Sequence, residues 1–224
     1  MSEFMRYAIY FVPKMQPLAA TGAAWLGWDV IAGCVVAQPD VPGIATMTQA
    51  PRKYGLHATL KPPFALADQR SVGDLDAALA QFAKAQPSVS LDGLRLERLG
   101  RFLALVPAGD QTQLTTLAAD CVQRFDTFRA PATDSDIARR RAAGLTAGQD
   151  AHLLRWGYPY VLDQFRFHIT LTGSLDDDEL RLAQDHLQQT LPALPAPFLI
   201  DRIALVGQRA DGFFHLIHDY TLAG

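Results

Sequence analysis

Hydrophobic and polar positions along the chain switch between strand-like and helical spacing, and this pattern predicts a mixed α+β fold. Short β-branched and aromatic runs that end at proline or glycine favour strands, whereas apolar residues three and four apart favour amphipathic helices. Strands are expected at about 7–12, around His57, at 89–96 and 102–106, around His168, and at 198–206 and 213–220. The clearest helix carries Leu114, Leu117, Ala118, Cys121, Val122 and Phe125 on one face.

Local signals set the expected ends of several elements. A serine followed three residues later by an acidic residue predicts helix starts at Ser71 and at Ser174. Pro62-Pro63 predicts the end of the strand around His57, since proline cannot donate to a sheet ladder. The segment 134–157 is charged and weakly periodic, so it is expected to be an insertion with one or two surface helices.

The chain also repeats itself. The segments RYAIYFVP and RFLALVP each precede a helix, and each leads to a strand with a His-x-Thr motif, a capped helix and further strands. We therefore predict one two-lobed domain over 1–224, with lobes at about 1–100 and 101–224 and the option of exchanged strands. Two antiparallel sheets are expected to face a central cleft, with helices on their outer faces.

Each half of the repeat carries a histidine two residues before a threonine, at His57 and Thr59 and again at His168 and Thr170. Because side chains alternate along a strand, each pair shares one face, and the alternation also places Lys61 beside the first pair. A single strand histidine is usually structural. Two matched copies predict a functional pair on opposite sides of the cleft.

Composition narrows the class of partner. The 224 residues are 49% hydrophobic and carry a net charge of -3, which is typical of a folded domain without the basic stripe that long nucleic acids need. Cys34 and Cys121 lack metal-ligand spacing, and the apolar run near the N-terminus is too short for a signal or membrane-spanning segment. We expect a cytoplasmic protein with no membrane partner; the pattern leaves the oligomeric state open.

Paired histidines suit general acid–base catalysis, because one can take a proton from water while the other protonates a leaving oxygen. The two threonine hydroxyls can donate to the oxygens of a phosphate held between them. These histidines and threonines are suited to attack on a strained cyclic phosphodiester, a reaction that is expected to require no metal or other cofactor. The expected partner is therefore a small phosphorylated substrate, such as a cyclic phosphate or a nucleotide.

The segments YGLHATLKPPF, RFLALVP, RWGYPYV and FRFHITLTG resemble the two-histidine phosphoesterase superfamily, and in particular its bacterial branch associated with phosphonate utilisation. The resemblance covers nearly the whole chain. It implies a cyclic phosphodiesterase-like hydrolase in which His57 and His168 are the acid and the base, and Thr59 and Thr170 bind phosphate. It does not imply which histidine is the acid. Lys61 is an added candidate for phosphate binding.

Further candidates lie near the second motif. Tyr158 and Tyr160 are expected to form a stacking wall for a base or sugar or to pack within their loop, and Arg166 has the strand parity of His168. The three arginines 139–141 are interpreted as a solvated helix face. Two other functions remain open: a non-catalytic module that binds a phosphate ligand or a short RNA end, and a metallohydrolase that uses the histidines as ligands.

Overall fold

An antiparallel sheet of seven strands forms the centre of the computed structural model, which describes residues 3–223. The strands are β1 (Arg6–Phe11), β2 (Trp28–Asp29), β3 (Cys34–Val35), β4 (Ala58–Phe64), β5 (Val89–Leu91), β6 (Gly93–Leu99), β7 (Phe102–Ala108), β8 (Ile169–Thr170), β9 (Phe198–Ile200), β10 (Arg202–Gln208) and β11 (Phe214–Thr221). The central sheet has the order β11-β10-β1-β4-β8-β7-β6, while β2–β3 and β5–β9 form separate pairs.

The helices are α1 (Leu18–Leu26), α2 (Ile44–Met47), α3 (Gln49–Arg52), α4 (Val72–Ala83), α5 (Thr112–Arg124), α6 (Asp134–Arg141), α7 (Ala147–Trp156) and α8 (Asp177–Thr190). The predicted α+β class is confirmed. Segment 134–157 holds α6 and α7. None of the helices within residues 3–223 is both long enough and apolar enough to span a membrane.

The strand order is mirrored about the β4–β8 pair, as expected of a duplicated chain. β1 and β7 flank that pair, and β10 and β6 lie next to them, so strands from both parts of the chain meet in each half of the sheet. The halves are joined edge to edge through one residue pair, Ala58 opposite Ile169, instead of forming two separate sheets across a cleft. β8 has only two residues, which limits the joint to that pair.

The two faces of β1 show how the sheet is covered. Tyr7, Ile9 and Phe11 lie in the main apolar core together with the inner faces of α4, α5 and α8. Ala8 and Tyr10 point the other way, into a smaller cluster. The predicted apolar face of α5 is confirmed, since its six apolar residues are all buried. α4, α5 and α8 therefore cover one face near β4 and β8, and the opposite face is available for a site.

Three local predictions are wrong. β4 continues through Pro62-Pro63, because its pairing with β1 is irregular there and its pairing with β8 is confined to Ala58. α8 is capped by Asp176 with Glu179, and not from Ser174, because the aspartate side chain accepts from two backbone N–H groups of the first turn. The second His-x-Thr segment is mostly irregular, and His168 precedes the short β8.

Candidate active site

The two His-x-Thr motifs lie side by side on adjacent strands. Their middle residues, Ala58 and Ile169, are paired and buried towards the helices, so the residues before and after them face the opposite side. Extending this antiparallel register by one residue each way places His57 beside Thr170. One cavity of about 360 Å³ is lined by all four side chains of the two motifs: His57, Thr59, His168 and Thr170.

His57 is held in a largely buried position. Its Nδ1 lies 3.0 Å from the carbonyl oxygen of Gly55, and its ring stacks on Tyr10 with 4.0 Å between the ring centroids. The residue is 9% exposed, and burial lowers the pKa of His57 to about 4, the nearby His168 lowering it further against the opposing effect of the Gly55 hydrogen bond. His57 is therefore neutral at pH 7.

His168 repeats this arrangement in a more open setting. Its Nδ1 lies 2.8 Å from the carbonyl oxygen of Arg166, so in both motifs Nδ1 contacts the carbonyl two residues earlier. The ring lies against Phe102, with 5.8 Å between centroids, and is partly exposed. When Nδ1 donates to that carbonyl, Nε2 becomes the nitrogen available to a ligand.

The threonines of the motifs share the cavity with the histidines. Oγ1 of Thr59 lies 3.2 Å from Nε2 of His57, so the hydroxyl donates to the neutral ring in the free protein. Thr170 lines the same cavity. Thr172, two residues further on, is buried: its Oγ1 accepts from the backbone N–H of Leu103 at 2.9 Å and donates to a neighbouring carbonyl.

Lys61 does not lie with these groups, and its predicted role in phosphate binding is not supported by the geometry. Its side chain is buried on the helix side, where Nζ donates to the carbonyl of Val122 at 2.9 Å and lies 3.7 Å from Asp126. A register irregularity between Thr59 and Lys61 interrupts the strand alternation, and Pro62 lines the cavity instead. Burial lowers the pKa of Lys61 to about 8.

A second compartment of about 670 Å³ adjoins the first and shares Thr59, Pro62, Tyr158 and His168 with it. Its walls are mainly apolar and aromatic, with Leu99, Phe102, Val161 and Phe165 among them. Tyr160 and Arg166 line it as well, so the three candidates near the second motif, Tyr158, Tyr160 and Arg166, meet there. Gly157 ends α7 with a left-handed backbone (φ 74°), which turns the chain so that Tyr158 enters the cleft.

Sequence reasoning missed several cavity residues. Arg6, Tyr10, Tyr54 and Arg140 all line the histidine-containing compartment. Arg6 and Tyr10 have the same parity on β1, so alternation would have identified them once β1 was known to lie beside β4. Arg140 gave no such signal, because its approach to the cleft depends on how α6 packs.

Within residues 3–223, no group of three or more His, Cys, Asp or Glu side chains is arranged to hold a metal ion. The lining side chains of the histidine-containing compartment that can carry a positive charge are Arg6, His57, Arg140 and His168. The carboxylate of Asp126 pairs with Lys61 on the helix side of the sheet, away from the cavity.

Comparison with known proteins gives one family and several relatives. The family described as "Protein of unknown function (DUF1045)" matches residues 59–215. Two proteins named ribose 1,5-bisphosphate phosphokinase PhnN are similar: one from Janthinobacterium sp. (strain Marseille) is 39% identical over 94% of this chain and 49% of its own length, and one from Laribacter hongkongensis (strain HLHK9) is 36% identical over 79% and 42%. The chain spans about half the length of these curated relatives.

Weaker likenesses exist among solved structures. E. coli LigT complexed with NADP+ is 16% identical over 100% of both chains, with a TM-score of 0.43. TT0787 of Thermus thermophilus is 16% identical over 98% of this chain and 99% of its own, with a TM-score of 0.42.

Proposed function

We propose that this chain, which belongs to the DUF1045 family, is a two-histidine phosphoesterase that hydrolyses a small cyclic phosphodiester or nucleotide-type phosphoester by paired-histidine catalysis without a metal. The observation that carries this proposal is the placement of two His-x-Thr motifs on adjacent strands, with all four side chains on one cavity.

The surroundings of the two histidines suggest different roles. His57 is buried and neutral, and the carbonyl of Gly55 fixes its Nδ1 proton, so Nε2 offers a lone pair. His168 is more exposed and lines both compartments. Paired titratable groups in unlike environments divide acid and base roles in this way. We assign His57 as the base and His168 as the acid.

The reaction follows from these roles. The oxygen of a water molecule forms a bond to phosphorus while Nε2 of His57 takes one water proton. The bond from phosphorus to the leaving oxygen breaks, and Nε2–H of His168 gives its proton to that oxygen. Opening a cyclic diester in this way adds one water molecule and gives a monoester. Thr59 and Thr170 donate to the non-bridging oxygens, which gain charge in the transition state.

The named relatives suggest a metabolic setting. Two proteins that share this region are named for phosphorylating ribose 1,5-bisphosphate, and the sequence resembles a branch associated with phosphonate utilisation. A phosphorylated sugar is consistent with a cavity of about 360 Å³ that opens into a larger compartment. We therefore infer that the substrate is a sugar or nucleoside phosphoester used in phosphonate metabolism.

A panel of ribose cyclic phosphates, 2',3'-cyclic nucleotides and phosphorylated oligonucleotide ends tests the proposal. Products are followed by phosphorus NMR in excess chelator, with His57→Gln as the matched inactive control. Conversion of at least one cyclic diester to a monoester by the wild type alone is expected. Binding without turnover across the panel would favour the binding-module alternative, and activity that disappears in chelator would favour a metallohydrolase.

A further inference from the structure

Three consecutive arginines on α6 have different surroundings. Arg139 pairs with Asp136 in the same helix. Arg141 makes two hydrogen bonds, of 2.6 and 2.8 Å, to Asp150 on α7. Arg140 instead lies over the ring of Tyr158, with 4.6 Å from Cζ to the ring centroid, and lines the histidine-containing compartment. The predicted solvated helix face therefore holds for Arg139 and Arg141. Arg140 instead borders the compartment.

A second arginine lines the same compartment from a different element of the fold. Arg6 begins β1, and its Nε donates to Oε1 of Gln208 at 2.7 Å, which is a neutral partner. Among the described residues, neither Arg6 nor Arg140 has a carboxylate at ion-pair distance, and no acidic side chain lines this compartment. Arginine stays protonated in proteins, so two positive charges without a direct ion pair border the cavity.

These charges exceed what the reacting group needs. A cyclic phosphodiester carries one negative charge, and the two His-x-Thr motifs already supply donors for its oxygens. A phosphate monoester carries about two negative charges at pH 7 and accepts paired hydrogen bonds from guanidinium groups. Arg140 lies over the ring of Tyr158, and this contact places none of its N–H groups in an ion pair, so they can donate to a phosphate.

We propose that Arg6 and Arg140 form a subsite for a second, non-reacting phosphate monoester on the substrate. The inference rests on the proposed function, because it takes the reacting phosphate to lie between the histidines. The substrate is then a small sugar phosphodiester that also carries a terminal phosphate. The two arginines select it over the same diester without that phosphate.

Two compounds that differ in one group test this subsite: adenosine 2',3'-cyclic phosphate with and without a 5'-phosphate. For wild type, we expect kcat/KM to be higher for the 5'-phosphorylated compound. Arg140→Gln and Arg6→Gln should each lower kcat/KM for that compound by about 10- to 100-fold, mainly through KM, because a hydrogen bond to a charged group is lost. The compound without the 5'-phosphate should change less than about threefold by the same reasoning.

Arg139→Gln is the matched control on the same helix and should leave both compounds unaffected. Arg140→Lys should recover part of the preference, since it restores a point charge without the paired geometry. Equal losses for both compounds, or no wild-type preference for the 5'-phosphate, would overturn the subsite.

If wild type converts neither these two compounds nor any other cyclic diester of the panel, the proposed function fails separately from the subsite. Calorimetry then measures the affinity of both compounds for wild type and Arg140→Gln and decides whether the subsite exists. Tighter binding of the 5'-phosphorylated compound that is lost in Arg140→Gln supports the subsite, and equal binding of both compounds overturns it.

Discussion

Replacing Tyr10 with alanine is expected to move the acid limb of the pH–rate profile upward. The Tyr10 ring covers His57, and burial is the main reason that the pKa of His57 is lowered from 6.5 to about 4. That difference corresponds to about 3 kcal/mol against protonation. Removing the ring admits water to one face of the imidazole, so the pKa should return part of the way towards 6.5.

The expected change is measurable at mildly acidic pH. At pH 5.5 a group with a pKa of 4 is neutral in about 97% of molecules, whereas a group with a pKa of 6.5 is neutral in about 9%. The acid limb of kcat/KM reports the free enzyme, so we expect it near pH 4 in wild type and between about 5 and 6 in Tyr10→Ala. Histidine ring NMR, assigned with His57→Gln, gives the same pKa directly.

Tyr10→Phe is the matched control, because it keeps the ring and removes only a hydroxyl that has no hydrogen-bond partner among residues 3–223. Its acid limb should stay at the wild-type position. A wild-type His57 that titrates near 6.5, or an acid limb that Tyr10→Ala leaves unchanged, would refute the link between burial and the protonation of His57.

The remaining predictions concern the cavity and the buried lysine. Thr59→Val and Thr170→Val should each lower kcat/KM by about 10- to 100-fold, because a donor to a charged phosphate oxygen is lost; unchanged rates would remove them from the phosphate site. Lys61→Met should keep kcat/KM within about threefold, since Nζ lies outside the cavity; a larger loss in a folded variant would contradict that placement. Asp126→Asn should lower the free energy of unfolding by about 3 kcal/mol in denaturant titrations, because it removes the carboxylate that Arg129 contacts at 2.8 Å and Lys61 at 3.7 Å; an unchanged midpoint would argue against these pairs. The free energy of unfolding should also fall as pH is lowered from 6.5 towards 4, because unfolded His57 binds a proton in that window and folded His57 does not; a shallower fall in His57→Gln is the expected control, and an identical fall would contradict this reasoning.

Much of the candidate site could be predicted because short sequence motifs determine which of its side chains lie together. A triplet on a strand fixes which side chains share a face, and two matched triplets with matched flanks indicate a duplication. The sequence therefore predicted the α+β class, which is confirmed, and a likeness to the two-histidine phosphoesterases, on which the proposed function is built. It also brought together His57, Thr59, His168 and Thr170, which line one cavity.

The errors arise where tertiary contacts decide the outcome. Lys61 was placed by strict alternation, and an irregularity in the β1–β4 pairing turns its side chain towards α5. Arg140 was grouped with its neighbours, and only the packing of α6 separates it from them. The edge-to-edge joint at Ala58 and Ile169 depends on how the two halves meet, which no local pattern reports.

The most direct test of paired-histidine catalysis compares kcat/KM for wild type, His57→Gln, His168→Gln and the double variant on the best cyclic diester of the panel, in excess chelator. Each single variant should lose about 10²- to 10⁴-fold, the range for a general acid or base. The double variant should lose little more than a single one, because both histidines serve the same transition state. Full activity in either single variant would contradict the account.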